Sequence, residues 1–310
     1  MRSIPDDSSR PDLAGVTRLQ LGDVGLTCVV ESQGPLLDPF ELYPQATPAL
    51  LESHLDWLAP RFYDRAAGRF VIAIQGFVLQ SRGKVIVVDT CVGDCKARLR
   101  GEFNTASWGW LARLQAAGVA PAQVDYVVCT HFHVDHVGWN TRLENGKWVP
   151  TFPNARYLFT REEWDYWWSE RGNWGRSRTG DYMDDSVLPI AQAGLADFVA
   201  MDHRIDDAIA FEPAPGHTPG LVAIGISSGT TRTVLASDLL HTPLQCACPQ
   251  LSTRFCADPE LSRATRTAFL EREARSGRLV IPAHFPAPSA GVIERAGDAY
   301  RFRYTPDAAA

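Results

Sequence analysis

From Thr130 to Gly138 the chain reads THFHVDHVG. Three of its eight histidines and an aspartate fall within six residues there, directly after the apolar run Tyr126, Val127, Val128 and Cys129. Imidazole nitrogens and carboxylate oxygens are the usual ligands of zinc and related divalent cations. His131 and His133 are two residues apart, and Asp135 and His136 are adjacent. On a turn that follows a strand, such spacing can aim two pairs of ligands at two neighbouring points. A single cation would need only three of the four.

Further residues of the same chemistry recur downstream, each at the end of an apolar run. His217 lies in the Pro/Gly-framed turn PGHTPG, Asp238 ends TVLASD, and His284 ends LVIPAH. Loop positions beyond strand ends are where rigid scaffolds place chemistry. The candidate ligands are therefore His131, His133, Asp135, His136, His217, Asp238 and His284.

The elements that must hold them are legible in outline. Phe70 to Gln80 and Lys84 to Thr90 are β-rich runs around Ser-Arg-Gly, a hairpin signal. Thr47-Pro48 predicts a helix start ahead of ALLESHLDWLA, and Thr105 predicts one ahead of ASWGWLARLQAAG, closed by Gly118. VDYVVCT and ARYLFT read as strands, and Thr160 with Glu163 reads as a capping box for REEWDYWWSE. LVAIGISS and TRTVLAS predict a hairpin around Gly229, Asp258-Pro259 a long helix towards Gly277, and RLVIPAH a last short strand. Residues 1–15 read as a loose polar tail. Strands and helices alternate in both halves without a linker, so a single domain over 1–310 is expected, with 1–68 as an N-terminal extension that serves as a lid or a homodimer contact.

The totals limit the function. The 310 residues carry a formal net charge of −6, which argues against a nucleic-acid surface, and 45% are apolar, enough for a sizeable core. The N-terminus lacks the apolar segment of a secretory leader, and no run approaches the roughly 18 apolar residues of a membrane span, so a cytoplasmic location is expected. The seven cysteines are an odd number in a long chain. Reduced, partly buried thiols are expected, rather than a disulfide framework or a zinc site on Cys91/Cys95 or Cys246/Cys248.

Five stretches, VVDTCVG, THFHVDH, GHTPG, ASD and PAH, occur in an order that resembles the metallo-β-lactamase-fold superfamily of metal-dependent hydrolases. Their span covers about two-thirds of the chain. The resemblance implies a four-layer αββα sandwich of α/β (α+β) class with the site at one edge of the two sheets. It implies one metal on His131, His133 and His217, a second on Asp135, His136 and His284, and Asp238 bridging them. The metals would be zinc first, with manganese, cobalt or iron as alternatives. No ligand position is substituted, unlike the mononuclear and degenerate branches, and His133 stands where the di-iron redox branch typically carries Glu. The nearest likeness is to the lactonase and organophosphate-hydrolase-like branch.

The implied reaction is attack by a metal-bridging hydroxide on the carbonyl of a lactone or other carboxylic ester, with Asp135 guiding a proton to the leaving group. A phosphotriesterase is the alternative. His241 is a candidate contact to the substrate oxygen, at a position where lactonases of the family commonly carry tyrosine. A secreted β-lactamase, a glyoxalase II-type thioesterase with its basic C-terminal helical region, and a non-enzymatic metal-binding module with broken ligands all fit less well. The partner expected is a small, neutral, partly apolar molecule, with no nucleic acid and no membrane. Asp89 either orients a ligand histidine or simply ends its strand. The aromatic segment 164–174 either lines a cleft or packs in the core, and His241 to Gln250 is a candidate pocket wall.

Overall fold

The structure, a computed structural model, describes residues 14–171 and 182–305. Most of the expected N-terminal tail and the end of the aromatic segment, including Trp174, lie outside the described residues. Two large sheets dominate. The first runs, in spatial order, Val16–Leu21, Val24–Leu37, Arg69–Ser81, Lys84–Val88, Tyr126–Val128, Arg156–Thr160 and Ala196–Val199, with Tyr63–Asp64 paired beside Arg69–Ser81. The second runs Ile209–Pro213, Val222–Ser228, Thr231–Ser237, Leu279–Pro282, Gly291–Ala296 and Ala299–Tyr304. A small ribbon, Thr141–Glu144 with Lys147–Pro150, stands apart from both.

Alternation along the strands explains the layering, because successive side chains point to opposite faces. Phe77, Leu79, Ile86, Val88, Val128 and Leu158 of the first sheet share one core with Val222, Ile224, Ile226, Leu235 and Ile281 of the second. The intervening residues Val78, Val87, Val127, Tyr157 and Phe159 face the other way, against Trp110 and Leu114 of the helix Trp110–Ala116 and against Met183, Val187 and Ile190. On the far side, Ala223, Val234, Ala236 and Val280 pack under Phe269 and Leu270 of the helix Pro259–Ser276. Helices, sheet, sheet and helices are the four expected αββα layers. No helix among the described residues is long and apolar enough to cross a membrane.

Several local expectations hold. Asp258 caps its helix by accepting from the amides of Glu260 and Leu261, and Gly277 ends it in left-handed conformation. Thr47 accepts from the Leu50 amide, but the helix it opens stops at Glu52 and restarts at Leu55–Leu58, because Ser53 and His54 turn the chain. The helix expected from Thr105 begins only at Trp110, because Asp94 takes the Ser107 hydroxyl and the Trp108 amide into a loop. The expected capping box at Thr160 does not form: the Thr160 hydroxyl donates to the Gly220 carbonyl and Glu163 is buried elsewhere. Residues 16–37, read above only as part of an extension, form a hairpin that pairs along Arg69–Ser81 and widens the first sheet.

Candidate functional site

Every expected ligand leaves the C-terminal end of a strand or the turn beyond it. Tyr126–Val128 pairs in parallel with Lys84–Val88 and Arg156–Thr160, and Thr231–Ser237 pairs in parallel with Leu279–Pro282. Parallel neighbours deliver their following loops to the same edge, which is where such sheets bind ligands. The first sheet contributes His131, His133, Asp135 and His136, and the second contributes Asp238 and His284. His217 sits in the turn between Ile209–Pro213 and Val222–Ser228. A register irregularity between Leu235 and Ser237 precedes Asp238, a device that re-aims side chains near sites.

The two loops of the first sheet interlock. Thr90 bridges to the histidine loop through its backbone, its carbonyl accepting from the Trp139 amide and its amide donating to the His136 carbonyl. Gly138 permits this approach, since a Cβ there would lie 1.8 Å from the Val92 carbonyl oxygen. This accounts for the pairing of VVDTCVG with the histidine cluster along the chain. Asp89, at φ 58°, accepts from the Thr130 amide and hydroxyl and lies 2.9 Å from His136 Nδ1. Of its two readings, orientation of a histidine is the one the geometry supports.

Asp238 is the centre of the cluster. Its Oδ2 lies 3.0 Å from His217 Nε2, 3.1 Å from His241 Nε2 and 3.6 Å from His131 Nε2. Its Oδ1 lies 3.1 Å from His284 Nε2 and 3.2 Å from His136 Nε2. Asp135 stands 3.7 Å from His284 and 3.8 Å from His136. His133 Nδ1 comes within 2.8 Å of His217 Nε2. The potential ligand atoms of His131, His133, His217 and Asp238 lie within 4.8 Å of one another, as do those of Asp135, His136 and His284 and those of Asp238, His241 and His284. The structure thus brings together all seven expected ligands and His241.

The site fits cations by its unmet needs. His131 Nε2, His136 Nε2 and Asp238 Oδ1 are buried and make no hydrogen bond, a costly state for polar atoms that a metal would relieve. Burial first, then neighbouring imidazoles, hold His131 and His133 well below the usual histidine range, so their nitrogens offer lone pairs. Burial also opposes charge on His136 and His217, yet Asp238 together with Asp89 and Asp135 at His136, and with Cys256 at His217, outweighs it and raises both, His217 to about 10. Protons therefore take places that a cation would fill. Burial lowers His241 to about 4 and keeps it neutral.

Sequence reading missed three supporting residues. Glu163 accepts from the Phe132 amide, beside His131 and His133, and from the Gly220 amide beyond His217, while also taking the Trp167 indole N–H. Cys256 Sγ lies 3.5 Å from His217 Nδ1 and contacts the hydroxyls of Thr253 and Ser262. Glu31, at a register shift of the long strand Val24–Leu37, accepts from the amides of Val92 and Gly93 and from the Trp139 indole. The carboxylates carry no distinctive spacing, and Cys256 stands in no motif. His54 and His203 lie outside the cluster: His54 accepts from the Trp57 indole and His203 packs on Phe211. Of the aromatic segment, Trp164 packs beside Phe198 while Trp167 lines the cavity above the cluster. Of the candidate wall at 241–250, His241 reaches the cavity and Gln245 anchors it by accepting from the His241 amide. All seven cysteines are free.

The fold has counterparts among known proteins. AidC, described as a dizinc quorum-quenching lactonase, superposes with TM-score 0.78 at 23% identity over 95% of this chain and 99% of its own. Hydrolase AbOPH of the β-lactamase superfamily does so with TM-score 0.77 at 21% identity over 94% and 98%. Metallo-beta-lactamase domain-containing protein 1 of Xenopus laevis is 28% identical over 69% of this chain and 78% of its own. The N-acyl homoserine lactonase AttM of Azorhizobium caulinodans is 40% identical over 58 residues, which is 19% of each chain. The family model of the Metallo-beta-lactamase superfamily matches residues 72–284, more than half of the chain. From Ile72 to His284, therefore, the chain belongs to the metallo-β-lactamase superfamily, and it is a metal-dependent hydrolase of that fold.

Proposed function

We propose that the protein is a dinuclear metal-dependent hydrolase of a lactone or other carboxylic ester. The observation that carries this reading is the division of Asp238: Oδ2 faces His131 and His217, and Oδ1 faces His136 and His284. His133 completes the first group and Asp135 the second. Bound there, divalent cations, zinc first and manganese, cobalt or iron as alternatives, supply Lewis acidity and activate water for attack on a carbonyl. The chain's own residues do the rest. Asp89 holds the ring of His136, and Glu163 fixes the loops bearing His133 and His217 relative to each other. Asp135, less buried than Asp238, borders the cavity and is placed to pass a proton to the leaving alcohol. His241 lines the same cavity as a neutral imidazole and contacts the substrate oxygen.

A cavity of about 310 Å³ lies over the cluster, walled largely by apolar side chains such as Ile72, Phe103 and Phe255. It suits a small molecule with an apolar body, and the relatives named as lactonases favour a lactone. A phosphotriester is the second reading, favoured by His241 in place of the lactonase tyrosine. The test is turnover of an acyl-homoserine lactone, an aryl ester, a phosphotriester and a β-lactam, with metal content measured on the same sample. Two metals with preference for the lactone or ester are expected. Preference for the phosphotriester would promote the second reading, and two metals without any turnover would overturn the proposed substrate class.

A further inference from the structure

Two guanidinium groups, Arg100 and Arg254, line the otherwise largely apolar cavity over the histidine cluster. Their circumstances differ. Arg100 has an acidic neighbour, with Nε 3.4 Å from Glu102, and its Nη2 reaches the Leu36 carbonyl. Arg254 is partly buried, and its side chain makes no ion pair or hydrogen bond with the described residues; only its backbone amide is engaged, donating to the Leu42 carbonyl. Removing a charge from water without a partner is costly, so a half-buried, unpaired arginine in a cavity wall calls for an anion.

The loop that presents Arg254 is firmly held. Buried Arg266 donates to the Pro249 carbonyl and to the Ser252 hydroxyl, and Ser252 donates to the Pro259 carbonyl. Just beyond Arg254, the amides of Ala257 and Asp258 donate to the carbonyls of His217 and Gly216. Arg254 is thereby tied to the turn that carries a candidate metal ligand. Such anchoring is what a positioning contact requires. The carboxylates that line the cavity are Asp135 and Asp238, neither within ion-pair reach of Arg254, and both are committed to the cations in the proposed function.

We propose that Arg254 recognises an anionic group on the substrate, and that the substrate is an ester or lactone bearing a carboxylate beside an apolar body. This rests on the hydrolytic reading above and departs from the neutral substrate expected from the sequence. A carboxylate fits better than a phosphate monoester: one guanidinium balances a single negative charge, and Arg100 already has Glu102 beside it.

The experiment compares zinc-loaded protein with its Arg254→Gln and Arg254→Lys variants on a matched pair, phenyl butyrate and the monophenyl ester of glutaric acid. Binding of hexanoate and of hexanamide is measured in parallel by calorimetry. The wild type is expected to favour the anionic ester. Arg254→Gln is expected to lower the anionic-to-neutral ratio of kcat/KM about tenfold, and to weaken hexanoate but not hexanamide by a similar factor. Arg254→Lys retains most of both. An unchanged ratio with unchanged hexanoate affinity in Arg254→Gln would overturn anion recognition and leave ester hydrolysis standing. Hexanoate binding lost in Arg254→Gln, with neither ester turned over by the wild type, would support the anion site and overturn the hydrolytic reading instead.

Discussion

Asp238 has no neutral role available to it. It is 3% exposed, burial raises the cost of its charge, and the surrounding imidazoles of His284, His136 and His241 outweigh that and hold it well below the usual carboxylate range. Around it, Asp89 and Cys256 each contact the outward nitrogen of a candidate ligand histidine, at 2.9 Å from His136 and 3.5 Å from His217. Such partners fix the tautomer, so that the other nitrogen faces inward. Asp89→Asn, which tolerates the left-handed backbone, is expected to weaken cation affinity about 10–100-fold. Cys256→Ala is expected to weaken it likewise and Cys256→Ser much less. Competition with a chromophoric chelator reads all three; unchanged affinity in Asp89→Asn and Cys256→Ala would show that the contacts are incidental. At this scale the seven candidate ligands were legible because a short turn fixes the spacing of His131, His133, Asp135 and His136, and the remaining three end apolar runs. Cys256 was not legible, since its meaning comes from a loop that folds back onto His217.

Among the elements, the helix Arg161–Ser169 shows how a correct local signature can be put to another use. Thr160 and Glu163 have capping-box spacing, yet their side chains bridge to Gly220, Phe132 and Trp167. Gly220 allows the contact, because a Cβ there would meet the Glu163 amide nitrogen at 2.2 Å. Local spacing cannot tell whether a carboxylate turns to its own helix or to a loop from the other sheet. Glu163→Ala leaves buried N–H groups unpaired, so a loss of about 1–3 kcal/mol is expected in urea unfolding, together with weaker cation binding. Stability within 0.5 kcal/mol of wild type, roughly the scale of an ordinary surface change, would contradict the clamp. Glu31 plays a similar part from the long strand Val24–Leu37. Burial raises its carboxyl from 4.5 to about 7, against the hydrogen bonds from Val92 and Trp139. A raised folded-state value means that its stabilising contribution is complete below pH 4.5 and is lost as pH rises to about 7. Glu31→Gln removes that fall, so the stability gap between wild type and variant should narrow from pH 4.5 to 7; a constant gap in denaturant titrations would refute the assignment.

The whole molecule joins two sheets at one edge through the cluster. The first sheet brings His131 to His136 and the second brings Asp238 and His284, so a cation there ties the halves together. Chelation is therefore expected to lower the melting temperature reversibly, since a ligand at 100 times its Kd stabilises by about 2.7 kcal/mol. A melting curve indifferent to chelator would count against a cation held between the sheets. The sandwich itself was legible through resemblance and through the alternation of Val222–Ser228 and Thr231–Ser237. The hairpin over 16–37 is only half legible: Thr17, Leu19 and Leu21 alternate with Arg18 and Gln20 ahead of a Gly22-Asp23 turn. Glycines at 25 and 34 and the shift at Glu31 interrupt the pattern of its second strand.

In the proposed function, Asp238 is shared by two cations that together support hydrolysis. The most direct test is metal content, by mass spectrometry, of wild type, His133→Ala and Asp238→Ala, with ester or lactone turnover and circular dichroism on the same samples. Two metals per wild-type chain, reduced metal in both variants, hydrolysis abolished in both, and a retained fold are expected. Full activity or undiminished metal in Asp238→Ala would contradict it.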